Sequence, residues 1–374
     1  MWVEFVHLTD VRSYSDVQVE LEPGITTLLG RNGRGKTNFV EALAYCSTLG
    51  SHRVSTDAPL IRQGAQHGVI RARVVDGEHR TTIDLALYRD QPKKARINQS
   101  AVTRVRDVLG IVQTVIFAPE DLAIVKGDPA DRRHFLDDVL IQRRPAYAGM
   151  KADYERVLKQ RNALLKSART NRRSSNTSSM MQTLDVWNEQ LIDTGTAMIV
   201  ERCAGIEALQ PHLAERYAFL ADGARAVMQY DSALIETPTT DREMWRSAFS
   251  AHLAQRQQEE LDRGITLVGP HRDDIALSVN GLPAKGYASH GESWSLALAL
   301  RLASVDVFIE QGRSPVLILD DVFAELDTKR RSQLASLIRA HEQVLITAAV
   351  EGDVPHELVG NRLMVNEGQI TRVS

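Results

Sequence analysis

Alternation of apolar and polar positions opens the chain. VEFVHLT and VQVEL both alternate, and ITTLL is a short apolar run ending in glycine, so all three are expected to be strands. KTNFVEALAYCSTLG changes the period. Phe39, Val40, Leu43 and Ala44 recur at helical spacing, with Gly50 as the stop. GVIRARVV and TTIDLALY read as paired strands with Asp76-Gly77 as the turn between them, and VQTVIFA as a further apolar strand.

The character changes after Pro129. From about residue 131 to residue 263 the pattern is mostly helical and strongly charged, as in KADYERVLKQRNALLKSARTNRR. A polar break, SSNTSS, separates that helix from a second through MQTLDVWNEQLIDTGTAMIVERCAGIEAL. Their heptads are too short and interrupted for an extended coiled coil. Strand signals resume at DDIALSVNGLPAKGY, where Asn280-Gly281 is a hairpin turn. YASHGESWSLALALRLAS is a turn and then a nearly all-apolar run. It predicts a buried helix opened by a capping box of Ser289 and Glu292. A strand PVLILDD, a helix from Thr328, a strand QVLITAA and a hairpin at Glu367-Gly368 complete the chain. The expectation is an α/β head made of residues 1–130 and 264–374, with a mainly helical inserted domain at 131–263.

Length and composition bound what such a chain can do. At 374 residues it exceeds one ordinary core, and its 43% hydrophobic and 25% charged content is that of a soluble globular protein. No apolar stretch reaches the roughly 18 residues needed to cross a bilayer, and MWVEFVHLTD lacks the regions of a signal peptide, so no membrane partner is expected. Cys46 and Cys203 are the only cysteines and lie far apart, which argues against a disulfide framework and suits the cytoplasm. The formal charge of −3 means that any nucleic acid would be held by a local basic face.

Gly30-Arg31-Asn32-Gly33-Arg34-Gly35-Lys36-Thr37 fits the phosphate-loop pattern G-x-x-x-x-G-K-[ST] and stands between a strand and a helix. Its glycines let backbone amides close around phosphate at a helix N-terminus. Lys36 is expected to reach the β and γ phosphates of ATP, and Thr37 to bind Mg²⁺. VLILDD is an apolar strand ending in two carboxylates, where ligands of a parallel sheet sit. Asp320 is expected to hold Mg²⁺ opposite Thr37, and Asp321 to orient or deprotonate the attacking water. Two adjacent carboxylates repel, which suits the company of a divalent cation.

Other charged groups read less specifically. Lys159, Arg161, Lys166, Arg169, Arg172 and Arg173 lie on or just after one helix, and a solvated face is the plain account of them. Arg132 and Arg133 stand open between touching DNA and pairing with nearby acids. His271 with Asp273 and Asp274 imitates a metal site, but one histidine and two adjacent acids make a poor cage, so a structural turn is expected.

The order of phosphate loop, helical insertion, Ser-x-Gly turn, acidic strand end and Glu325-Leu326-Asp327 resembles the ATP-binding-cassette ATPases. Within them it resembles the SMC-like DNA repair proteins, and in detail the RecF family. LLGRNGRGKTNFVEAL, SHRVSTDAPLIRQGA, FAPEDLAIVKGDPADRRHFLD, YERVLKQRNALLK, GPHRDD, SHGESWSLALALRLA and LILDDVFAELD carry the likeness over almost the whole chain. The resemblance implies an ABC-type P-loop ATPase head with a composite site. Ser289 would donate its hydroxyl, and Gly291 allow close backbone approach, to the ATP held by a partner chain. Asp327 and its neighbours would line the same seam. It also implies an ATP-dependent homodimer on DNA, either double-stranded or at single-strand gaps and single-strand/double-strand junctions. Slow, DNA-stimulated hydrolysis would reset the dimer, and RecO and RecR would be partners in recombinase loading and the SOS response. DNA binding would be mainly to the backbone and salt-sensitive.

Three departures stand out. His290, Gly291 and Glu292 replace the usual Gly-Gly-Gln, which makes Glu292 the capping partner. Asp321 stands where glutamate is usual, and a shorter base suggests slow hydrolysis. The histidine expected after QVLIT is absent, with Thr347 the nearest polar group to a γ-phosphate sensor. Glu120 and Asp121 in FAPEDL suit coupling of nucleotide to the helical lobe. The alternatives are the energising subunit of a membrane transporter and a structural SMC-type clamp with far longer arms.

Overall fold

The computed structural model describes residues 1–170 and 177–373. They form two compact units. The first comprises Met1–Val125, His212–Arg225 and Ala288–Ser374, and the second Lys126–Pro211 and Ala226–Tyr287.

The first unit contains two six-stranded sheets. One is built from β1 (Trp2–Val11), β2 (Tyr14–Glu20), β4 (His67–Asp76), β5 (His79–Tyr88), β6 (Lys94–Ile97) and β7 (Ser100–Ala101). Its order is β2-β1-β4-β5-β6-β7, antiparallel throughout, and Asp76-Gly77 makes the β4–β5 turn as expected. The other is built from β3 (Gly24–Leu29), β8 (Thr114–Phe117), β12 (Val316–Asp320), β13 (Gln343–Ala348), β14 (Asn361–Asn366) and β15 (Gln369–Arg372). Its order is β15-β14-β3-β13-β12-β8, parallel except for the terminal hairpin. Every residue of β12 and β13 is buried, as befits central strands covered on both faces.

Helix α1 (Lys36–Thr48) supplies Phe39, Val40, Leu43 and Cys46 to a core that also takes Val6, Leu8 and Ile70 from one sheet and Ile318 and Leu345 from the other. It ends one residue before Gly50, on Leu49 in the left-handed region at φ 60°. Short α2 (Leu122–Lys126) follows β8.

The second unit holds α3 (Pro129–Arg143), α4 (Ala146–Thr170), α6 (Arg242–Arg263), short α7 (Ala284–Tyr287) and most of α5 (Thr177–Leu220). α5 runs past the expected end near residue 209 and carries Pro211 inside it. Its last turns go with the first unit because Arg216 pairs bidentately with Asp306 at 2.6 Å and Gln333 Nε2 donates to Phe219 O. Residues 264–287 go with the second because β9 (Ala226–Asp231), β10 (Asp274–Val279) and β11 (Leu282–Pro283) make one small antiparallel sheet. β9 stands inside the stretch that reads as mostly helical. Of the SSNTSS break, residues 177–179 already belong to α5, and the rest lies outside the described residues, as do Arg172 and Arg173.

Helix α8 (His290–Glu310) is buried almost all round from Ser293 to Phe308. α9 (Thr328–Ile338) follows β12. Among the described residues, no helix is long and apolar enough to cross a membrane.

Several charged groups turn out to be structural. Arg132 pairs bidentately with Asp274 at 2.8 Å, and Arg133 Nη1 donates to Asp273 O at 2.6 Å, which settles them as ties of the GPHRDD turn. His271 Nδ1 lies 2.6 Å from Tyr154 OH, and burial lowers the ring to about 4, so it is neutral at ordinary pH. Arg161 is fully buried and belongs to no solvated face, whereas Lys159, Lys166 and Arg169 are exposed.

Candidate nucleotide site

Strands β3, β13 and β12 lie side by side and end together, with Ala348 opposite Leu29 and Thr347 opposite Asp320. That register brings three segments of distant sequence to one place at the carboxyl edge of the sheet. Residues 30–35 leave β3 as a loop in which Gly33 and Gly35 adopt φ 77° and 112°, a region that favours glycine. A Cβ on Gly35 would meet Ser13 Oγ at 2.8 Å and Tyr14 OH at 2.9 Å, and Tyr14 OH donates to Gly35 O. α1 then starts with no side-chain cap, while α6, α8 and α9 are capped by Asp241, Ser289 and Asp327. The first amides of α1 are thus left for an external acceptor.

Lys36 is buried and Nζ donates to Gly30 O at 2.7 Å, with Arg31 O and Asn32 Oδ1 each at 3.4 Å. Arg34 pairs with Glu367 of the terminal hairpin. Thr37 Oγ1 donates to Asp320 Oδ1 at 3.0 Å, and Thr347 Oγ1 donates to the same oxygen at 2.6 Å. Burial raises the Asp320 carboxyl above its usual range, hydrogen bonds from Thr347 and Thr37 oppose this, and the charges of Asp321 and Glu120 add to it. Asp321 turns the chain through a left-handed residue, φ 52°, and its N–H donates to Thr347 Oγ1 at 2.9 Å. Burial also raises Asp321, with Asp353 and Glu325 adding to it and Lys36 opposing. A phosphate loop, a hydroxyl and two reluctant carboxylates in one cluster have the chemistry of a nucleotide and divalent-cation site.

Gly30 fits under the terminal hairpin only because it lacks a side chain. A Cβ there would sit 2.4 Å from Val365 O, a backbone atom that cannot step aside. Gly30→Ala is therefore expected to fold but to displace the loop, losing ATP affinity by at least about tenfold, roughly one charge-assisted hydrogen bond. Titration with a fluorescent ATP analogue checks this.

The Ser289 turn shares no hydrogen bond with this cluster among the described residues. Ser289 Oγ accepts from Glu292 N at 3.3 Å while Ser289 N donates to Glu292 Oε2 at 2.8 Å, the expected capping box. Those hydrogen bonds hold the Glu292 carboxyl below its usual range. Gly291 lies against Arg330, whose Nη2 would be 3.2 Å from a Cβ at that position.

A family described as the RecF/RecN/SMC N terminal domain matches residues 2–364. The DNA replication and repair protein RecF of Frankia alni is 52% identical over 380 residues, covering 100% of both chains. The chain belongs to the RecF family. The protein of the same name from Streptomyces avermitilis is also 52% identical, again over 100% of both chains. A solved structure of the recombination mediator protein RecF-ATPrS of the RecFOR pathway superposes with a TM-score of 0.89 at 25% identity, covering 100% of this chain and 98% of that one. This full-length membership in the RecF family, an ABC-type ATPase family, leaves the transporter and clamp alternatives without support.

Set in the RecF family, the cluster explains the place of Thr347. Its hydroxyl ties Asp320 to the backbone of Asp321, so it is part of the acidic end of the strand. Asp121 accepts from Ala118 N at 3.0 Å and Arg301 Nη2 at 2.7 Å, tying the FAPEDL segment to α8. Glu120 lies 3.6 Å from Arg53. Nothing local in the chain signals Arg301 or Arg330, because both sit at ordinary helical positions and gain meaning only from what they touch.

Proposed function

We propose that the chain is an ATP-dependent DNA-binding protein of replication and recombinational repair, in which ATP joins two copies head to tail. The hydrogen bond from Thr37 to Asp320 carries this reading, because it sets a phosphate-loop hydroxyl against a buried carboxylate from β12. Full-length relatives named for DNA replication and repair support the biological role, and the RecF-ATPrS structure supports the nucleotide.

The residues fit the groups this reading requires. The amides of residues 30–35 and the uncapped start of α1 would hold the phosphates, and Lys36 would turn from Gly30 O to the β and γ phosphates. Thr37 and Asp320 would hold Mg²⁺, whose chemistry is to neutralise phosphate charge. Asp321 would orient the attacking water and take its proton, a task helped by a carboxyl already raised by burial. Its short reach fits slow, DNA-stimulated hydrolysis used as a reset. Ser289, with Gly291 and Asp327, would act on the nucleotide of the other copy. The exposed Lys159 and Lys166 would meet the DNA backbone, at gaps, junctions or duplex, and RecO and RecR would be protein partners.

Gel filtration with ATP, with and without gapped DNA, tests the proposal. Wild type is expected to shift to a dimer that gapped DNA favours. Ser289→Arg is expected to bind ATP normally and remain monomeric. Dimers of wild-type strength in Ser289→Arg would end the composite-site reading.

A further inference from the structure

Arg330 has a geometry that no role so far uses. It lies in the first turn of α9, where its backbone N–H donates to Asp327 Oδ1 at 2.9 Å. Its side chain reaches back to α8. Nε donates to Ser295 Oγ at 2.9 Å, and Nη1 pairs with the Asp327 carboxylate. These two anchors fix the plane of the guanidinium, which only arginine's rigid fork can satisfy together. The remaining arm, Nη2, is the atom nearest the missing Cβ of Gly291, at 3.2 Å, and has no acceptor among the described residues. The side chain is 27% exposed, so this arm sits at the surface beside the turn that carries Ser289. Gly291 thus does something its sequence position does not suggest. It makes room for a cation from another helix.

We propose that Arg330, held by Asp327 and Ser295, is a phosphate contact that one copy of this chain contributes to the nucleotide bound by the other, next to Ser289. The inference rests on the composite-site reading above. A guanidinium arm with one partner missing suits a phosphate oxygen, which accepts charge-assisted hydrogen bonds. It also supplies positive charge beside the Ser289 turn, where Glu292 is an anion held in the capping box. Asp327 then acts through Arg330, and its carboxyl, lowered chiefly by the N–H of Arg330, stays ionised for that purpose.

Mixed dimers separate this role from a structural one. Arg330→Gln, Arg330→Lys, Ser289→Arg and Lys36→Ala are titrated with a fluorescent ATP analogue, then sedimented with ATP alone and in equimolar pairs. With protein kept dilute enough for wild type to stay monomeric, both Arg330 variants are expected to bind the analogue as wild type does. At higher concentration they are expected to dimerise at least about tenfold more weakly, the size of one charge-assisted hydrogen bond. Mixing Arg330→Gln with Lys36→Ala is expected to restore dimers. The first chain brings an intact phosphate loop, and the second an intact Ser289 and Arg330. Wild-type dimerisation by Arg330→Gln alone overturns the proposal. So does loss of analogue binding by both Arg330 variants, because the side chain then serves its own loop. If Ser289→Arg regains dimers with Lys36→Ala and Arg330→Gln does not, only the Arg330 proposal falls. If neither mixture dimerises, the composite site falls and this contact with it.

Discussion

Lys36→Ala is expected to weaken ATP binding by at least about 100-fold, from the loss of two charge-assisted hydrogen bonds, to the β and γ phosphates, worth about 1.5–3 kcal/mol each. The ammonium group is buried at 3% exposure and held by neutral acceptors, chiefly Gly30 O at 2.7 Å. Carbonyl dipoles compensate a buried cation less well than a phosphate does, so Lys36 is poised to exchange them for one. Alanine removes that charge while α1 keeps its packed face of Phe39, Val40 and Leu43. The variant should therefore remain folded by circular dichroism while failing to bind a fluorescent ATP analogue and staying monomeric with ATP. An affinity equal to wild type would remove the phosphate-loop assignment.

Glu260→Ala is expected to cost about 3–5 kcal/mol of stability, because it strands a buried guanidinium. Arg161 Nη2 donates to Glu260 Oε2 at 2.6 Å, and both side chains are fully buried. Arg161 also donates to Asn188 Oδ1 at 2.9 Å and Thr266 Oγ1 at 2.8 Å, neutral groups that cannot replace a carboxylate. Glu260 Oε1 accepts from Leu267 N as well, so its loss frees a second donor. Thermal unfolding should show a midpoint lowered by roughly 10 °C. Lys159→Ala and Lys166→Ala, in exposed positions of the same helix, should stay within about 0.5 kcal/mol of wild type. Loss of DNA affinity in those two would then report on DNA alone. A Glu260→Ala protein that melts with the wild type would show that the pair adds nothing to the fold.

The contrast within α4 shows what local pattern can and cannot tell. Lys159, Arg161 and Lys166 read alike in the chain as members of one basic face, yet only Arg161 meets a buried acid, on α6, 99 residues away. The GPHRDD turn behaves the same way. Its composition hints at a metal site, but Tyr154 takes up the ring, Arg132 the Asp274 carboxylate, and Tyr230 and Ser232 the Asp273 carboxylate. The missed strand β9 has only a four-residue alternation of its own, Met228-Gln229-Tyr230-Asp231, and is fixed by pairing with β10, forty-odd residues further on.

What the chain determined by itself was whatever depends on neighbours within a few residues. The strands follow from period and burial, the Ser289–Glu292 capping box from a three-residue spacing, and the phosphate loop from glycines whose backbone freedom is intrinsic. Tertiary structure decided everything that depends on register between distant segments. It set Thr37, Asp320 and Thr347 on one oxygen, turned Arg161 inward, and laid Arg330 across Gly291. The reason is physical. A hydrogen bond or ion pair is chosen by the geometry of both partners, and only the folded chain brings the second partner within reach.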